Sequence, residues 1–374
     1  MQTHTHALLP PTPGTHRELI SLHYGQPGAA AGKAYLQASL HADELPGMLV
    51  AHHLRRKLDA LEAQGRIKGE IVLVPMANPI GLSQHLLHGH LGRFEATSGE
   101  NFNRYYPDLI EAVADEVAAS LGADATRNVQ LLRQALRRAI AQSPVDTELQ
   151  SLRRELMLLA CDADIVLDLH CDAEAVLHLY TEQPCAPACE PLARFLGSRL
   201  TLLALDSGDK PFDEICSQPW WRWARRFETA GTPIPQACLS VTVELRGQAD
   251  VEHALAERDA ENLLNFLAWR GLIEQPVPAL PEPLGDARPL AGSMPVKSPV
   301  GGVLTFLRQP GDWLQAGEVL AQVIDPISNA VTDLHSPVDG LLFARDSVRL
   351  VRAGQKIAKV AGLEARRSGK LLGD

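Results

Sequence analysis

Between residues 33 and 273, short continuous apolar runs alternate with stretches of helical spacing. The runs at 33–40, 71–75, 165–169 and 239–245 are predominantly apolar and read as buried strands. Between them, the segments 46–63, 108–121, 128–141 and 148–160 carry helical periodicity. This alternation predicts a largely parallel sheet sandwiched by helices. Residues 108–160 read as a helical insertion whose charged stripes face solvent.

The pattern changes after residue 273. Residues 274–283 read Glu-Gln-Pro-Val-Pro-Ala-Leu-Pro-Glu-Pro, a stiff proline-rich spacer. Beyond it, short Val-, Leu- and Ile-rich pieces are punctuated by Pro310-Gly311-Asp312, Ala316-Gly317-Glu318, Val338-Asp339-Gly340 and Ala353-Gly354-Gln355. These are turn signals of a small all-β unit. Its halves resemble each other. Residues 298–306 (Ser-Pro-Val-Gly-Gly-Val-Leu-Thr-Phe) recur loosely at 336–344 (Ser-Pro-Val-Asp-Gly-Leu-Leu-Phe-Ala). The expected division is a catalytic domain over 1–273, a linker over 274–296 and a folded-over β domain over 297–374.

Composition narrows the function. A net charge of -10 over 374 residues argues against a nucleic-acid partner, which would want a basic face. No apolar run approaches a membrane span, and residues 1–20 lack the basic-then-apolar pattern of a signal peptide. Six scattered Cys form neither a disulfide framework nor metal knuckles. The expectation is a reduced, cytoplasmic protein with a small-molecule substrate, able to self-associate.

The chemistry gathers at the carboxyl ends of the apolar runs, where open α/β sheets bind ligands. His41 and Glu44 lie three residues apart just after the 33–40 run. An imidazole and a carboxylate so placed can bind one zinc ion. The pair alone is weak: 14 His and 45 acidic residues would supply roughly 1.7 such pairs by chance. The run at 165–169 delivers Asp168 and His170, and the run at 239–245 delivers Glu244. The strand at 71–75 leads into a loop with Arg93, Asn103 and Arg104. Two His and one Glu leave a coordination position open for water, the catalytic rather than the structural pattern. A further carboxylate can then serve as base and acid.

His41-Ala-Asp-Glu44, Asn101-Phe-Asn103-Arg104, Asp168-Leu-His170 and Val-Thr-Val-Glu244, in that order, resemble the succinylglutamate desuccinylase/aspartoacylase family, part of the wider zinc carboxypeptidase group. The resemblance covers about residues 32–267 and includes a C-terminal β domain of the kind many members carry. It implies a zinc-carboxypeptidase-like α/β fold, a mixed sheet flanked by helices, with a small barrel-sandwich-like all-β domain. It also implies one Zn2+ per chain, held by His41, Glu44 and His170. Glu244 would be general base and acid, Arg93 would stabilise the oxyanion, and Asn103 with Arg104 would grip a substrate carboxylate. A guanidinium fork suits that grip. The implied activity is deacylation of an N-acyl amino acid or related amine. The alternatives are a zinc carboxypeptidase acting on peptides and a non-catalytic binding module.

The chain departs from the family pattern at Asn101, where an acidic residue is usual, and at Ala42, where Gly is. It departs again at Arg246, which would offer an extra cation for an anionic substrate group or else a surface salt bridge. Asp168 is a candidate to orient His170. His85, His88 and His90 read as solvated or as a substrate rim, and His178 as a packed neutral imidazole. Trp220 to Arg226 reads as helix packing, and His4 and His6 as a mobile tail. The β domain resembles biotinyl and lipoyl carriers, but its turn at 323–330 has no Lys to modify.

Overall fold

A computed structural model describes residues 1–228 and 231–372. Nine strands form one mixed sheet. They are β1 (Gln2–Ala7), β2 (Glu18–Gly25), β3 (Lys33–Ala38), β4 (Glu70–Val74), β5 (Ile165–Asp172), β6 (His178–Glu182), β7 (Leu200–Ala204), β8 (Leu239–Gly247) and β9 (Asp286–Pro289). Their spatial order is β1-β2-β4-β3-β5-β8-β6-β7-β9. The four apolar runs are the central strands β4, β3, β5 and β8, mutually parallel. The sheet is more mixed than the alternation alone suggests. β1, β2 and β4 pair antiparallel, and β6 runs antiparallel to β8.

Among the described residues, seven helices of eight residues or more flank this sheet: α1 (Pro46–Ala63), α2 (Ile110–Val117), α3 (Ala125–Gln142), α4 (Glu148–Ala160), α5 (Ala186–Leu196), α6 (Phe212–Phe227) and α7 (His253–Trp269). One apolar cluster joins α1, α5 and α7 to one sheet face. A second joins the 108–160 insertion and α6 to the other. These strands are buried on both faces, as with Leu36 and Tyr35 on β3, and even the polar Ser240 and Thr242 that alternate along β8 are buried.

The C-terminal strands are β10 (Ser293–Lys297), β11 (Gly302–Phe306), β12 (Trp313–Leu314), β13 (Val319–Asp325), β14 (Ala330–His335), β15 (Gly340–Arg345), β16 (Leu350–Val351) and β17 (Lys356–Ala361). They form two antiparallel sheets around their own core. The repeat is intertwined. β11 of the first half pairs with β16 of the second, and β15 of the second pairs with β12 of the first. Ser298 and Ser336 close equivalent turns, donating to the carbonyls of Val300 and Val338 at 2.6 and 2.7 Å.

Two expectations change. Residues 286–289, placed in the spacer, are β9 and extend the main sheet through β7, while 293–297 already belong to the β unit. His4 and His6 are not a tail. They lie in β1, paired with β2, where His6 Nε2 is 2.8 Å from Ser21 Oγ. Alternating polar residues on an exposed edge gave no apolar signal.

Candidate active site

β3 ends at Ala38, and the chain turns through Ser39, at φ +65°, before α1 begins. The turn carries His41 and Glu44. It is pinned from two sides. Asn78 Nδ2 donates to the Leu40 carbonyl at 2.8 Å, and the Ala42 N–H donates to the Gly92 carbonyl at 2.9 Å. A Cβ on Gly92 would lie 2.1 Å from the Asp43 nitrogen, so only glycine lets the loop carrying Arg93 approach this turn. On the adjacent strands, His170 of β5 and Glu244 of β8 are direct register partners.

These elements bring the two imidazoles and one carboxylate together. His41 Nδ1 lies 2.9 Å from Glu44 Oε1, and His170 Nδ1 lies 2.8 Å from Glu44 Oε2. All three donor atoms fall within 4.8 Å of one another, the one group of three metal-ligating side chains found among the described residues. The far nitrogens are also engaged. His41 Nε2 is 2.8 Å from Asn101 Oδ1, and His170 Nε2 is 2.9 Å from Asp168 Oδ2. His41 thus has an acceptor behind it and His170 has the Asp168 carboxylate within ion-pair distance, and both Nδ1 atoms face Glu44, as in metal-ligating histidines. The donor set fits a zinc ion. Asn101, though not acidic, supplies the acceptor through Oδ1, which also receives the Asn103 N–H at 2.9 Å, while its Nδ2 is buried without a partner.

Electrostatics follow from the packing. Burial disfavours a charge on Glu44, yet His41 and His170 hold its pKa well below the usual carboxylate range. Burial likewise opposes a charge on His170, but Asp168 and Glu44 hold its pKa well above that of a free imidazole. Burial, with Arg93 beside it, lowers His41. Glu244 is different. Burial, then the nearby Glu44 carboxylate, pushes it up to about 8, and its Oε2 has no hydrogen-bond partner. A carboxyl group so poised can accept or release a proton near neutrality.

The remaining expected residues separate into two groups. Arg93 reaches the same centre, with Nη1 3.1 Å from Glu44 Oε1. Asn103 and Arg104 are buried in the wall of a cleft of about 540 Å³. Asn103 Oδ1 accepts the Phe212 N–H at 2.8 Å. Arg104 Nη1 donates to the Asn103 carbonyl at 2.6 Å, and its Nε–H has no acceptor. Arg246 does not line the cleft. Its residue sits in a bulge of β8 at φ +69°, which turns the guanidinium to the buried Asp259 of α7. The cation expected for substrate is thus committed to a helix, and the salt bridge lies inside the protein.

His178 is buried and neutral. Burial lowers its pKa to about 4, and its Nδ1 is 2.8 Å from the Val176 carbonyl. His85 and His90 stack in a small hairpin away from the cleft. All six cysteines are unpaired.

Sequence reasoning missed the far wall. Lys356 and Lys359 of β17, with Arg367, Leu371 and Leu372 after it, border the same cleft as the zinc-type donors. Lys359 pairs with Asp172, two residues beyond His170. Nothing in the sequence signals that the β unit folds back onto the strand ends.

Residues 30–270 match the family model for the succinylglutamate desuccinylase/aspartoacylase catalytic domain. A solved structure assigned to that family, from Shewanella amazonensis, is 27% identical with a TM-score of 0.85, covering 96% of this chain and 98% of its own. One from Shewanella frigidimarina is 24% identical with a TM-score of 0.85 and 96% coverage of both chains. The product-bound ectoine utilization protein EutE (DoeB) from Ruegeria pomeroyi has the same fold at 16% identity and a TM-score of 0.65, covering 92% of this chain and 89% of its own. No curated protein gives a significant match. The family model spans well over half of the sequence, and the chain belongs to the succinylglutamate desuccinylase/aspartoacylase family.

Proposed function

We propose that this protein is a zinc-dependent amidohydrolase that removes the acyl group from an N-acyl amino acid or a related small N-acyl amine. One observation carries the reading. The His41–Glu44–His170 donors converge at the strand ends beside a buried carboxyl group, Glu244, that has a free oxygen and a pKa raised by burial to about 8.

A zinc ion held by His41, Glu44 and His170 would supply a Lewis acid and a water of lowered pKa. Arg104 and Asn103 hold the carboxylate of the amino-acid portion, which orients the scissile amide. Arg93 faces the carbonyl oxygen as negative charge develops there. Glu244 takes a proton from the attacking water and returns it to the leaving nitrogen. The new C–O bond forms first, leaving a tetrahedral oxyanion, and its collapse breaks the C–N bond as the nitrogen is protonated, giving a carboxylate and a free amine. The far wall of Lys359, Arg367 and Leu371 closes the cleft around a small substrate.

Two variants test the roles. Glu244→Gln is expected to keep a full zinc complement by elemental analysis and to lose on the order of 10²–10⁴-fold in kcat. His41→Ala is expected to lose the metal. Wild-type turnover in the first, or stoichiometric zinc in the second, refutes the assignment. A panel of N-acetyl-, N-succinyl- and N-formyl amino acids, run beside C-terminally extended peptides, separates deacylase from carboxypeptidase.

A further inference from the structure

The segment from Glu100 to Tyr106 has two faces. The inner face carries Asn103 and Arg104 into the cleft. The outer face closes a second cavity of about 400 Å³, bounded by the end of α3 and one side of α4. The two cavities share no lining residue.

The outer cavity has an amphiphilic build. Leu109, Ile140 and Met157 provide an apolar lining. Arg153 and Arg154, adjacent on α4, provide two guanidiniums, and Glu100 is the single acidic residue among the lining side chains. Arg153 is 6% exposed. Its Nη1 donates to Glu100 Oε2 at 2.8 Å and its Nη2 to the Asn101 carbonyl at 3.2 Å. Its Nε–H finds no acceptor. A buried donor left unmet is costly. Arg154 makes only a loose contact, 3.6 Å from Glu155. Two guanidiniums therefore face one carboxylate within the lining.

We propose that this cavity is a second binding site, for a small monocarboxylate with an apolar body such as an aryl- or branched-alkyl acid. The carboxylate forks onto Arg154 and shares Arg153 with Glu100. The apolar body lies against Leu109, Ile140 and Met157. The volume lies within the range of small-molecule sites, which combine an apolar lining with a few fixed polar groups. The site is joined to the catalytic centre through Asn101 by two hydrogen bonds: Arg153 holds the Asn101 carbonyl, and Asn101 Oδ1 faces His41.

The test uses the full chain with 4-phenylbutyrate as probe and 4-phenylbutanamide as its uncharged counterpart, both by titration calorimetry. Arg154→Ala removes the outer guanidinium, and Arg104→Ala removes the carboxylate grip of the catalytic cleft. The acid is expected to bind saturably at one equivalent, with the amide at least tenfold weaker. Arg154→Ala is expected to weaken the acid at least tenfold, and Arg104→Ala to leave it within twofold. Absence of saturable binding overturns the proposal, and so does equal binding of the amide. Loss in Arg104→Ala with retention in Arg154→Ala places the probe in the cleft and also overturns it. Because the readout is binding alone, failure here is distinct from failure of the deacylase reading.

Discussion

The contrast between Arg93 and Arg246 shows how far a residue type predicts a role. Both are cations near strand ends, and the sequence offers each to the substrate. Arg93 follows a glycine packed against the His41 turn, so its guanidinium reaches Glu44. Arg246 follows Glu244 by two residues, which in a regular strand would put both side chains on one face. The bulge and positive φ at 246 break that alternation. Asp259, 1% exposed, then requires a counterion. Arg246→Ala should therefore act on stability rather than on substrate. Removing one partner of a buried pair strands the other charge, at about 3–5 kcal/mol. The expected result in urea is a lower midpoint, with KM for the best substrate unchanged in the folded fraction. A large rise in KM at unaltered stability would return Arg246 to the cleft.

At the scale of elements, His178 joins the central sheet to the β unit. It lies on β6, and its ring packs edge-on against Phe343 of β15 with centroids 5.0 Å apart. Its folded pKa of about 4 lies below the ordinary 6.5. Between those values the unfolded chain binds a proton that the folded chain refuses. The associated stability is present above pH 6.5 and is lost as the pH falls toward 4. Of the drop in unfolding free energy between pH 7.5 and 4.5, this residue should supply on the order of 2–3 kcal/mol. His178→Gln, which does not titrate, should shrink that drop by a comparable amount, whatever its stability at pH 7.5; an unchanged drop refutes the assignment. Which elements the sequence reveals follows the same packing. β3, β4, β5 and β8 are buried on both faces, and α1 and α4 begin and end where their periodicity does. β1 is a polar edge, and β6 mixes His178, Thr181 and Glu182 with its two apolar residues. β9 is hidden in a proline-rich stretch, and its place is fixed by β7. The donors were legible because they sit at the ends of the visible strands. The far wall was not, because it depends on a long-range docking that leaves no periodic trace.

The docking decides how the molecule behaves as a whole. Residues 297–374 read as a separate domain, yet their seat on the sheet is neither small nor polar alone. Tyr180, Leu200 and Leu202 of the main sheet share an apolar cluster with Leu341, Phe343 and Ala361 of the β unit. The Val176 N–H donates to the Phe343 carbonyl at 3.0 Å. Arg345 and Arg349 both engage Glu174, and Lys359 engages Asp172. These contacts clamp the segment that follows His170, so the same interface that joins the units also fixes the strand that carries His170. Exposed ion pairs add little individually, whereas the shared cluster would be laid open to water if either unit unfolded alone. Inter-domain surfaces that are large and apolar couple their domains. Scanning calorimetry on the full chain should therefore give one transition with matching calorimetric and van't Hoff enthalpies. Glu174→Ala should shift that transition down without splitting it, because the apolar cluster remains. Two resolved transitions in the wild-type chain would mean that the β unit is an independent appendage, and its place as a wall of the cleft would then require another origin.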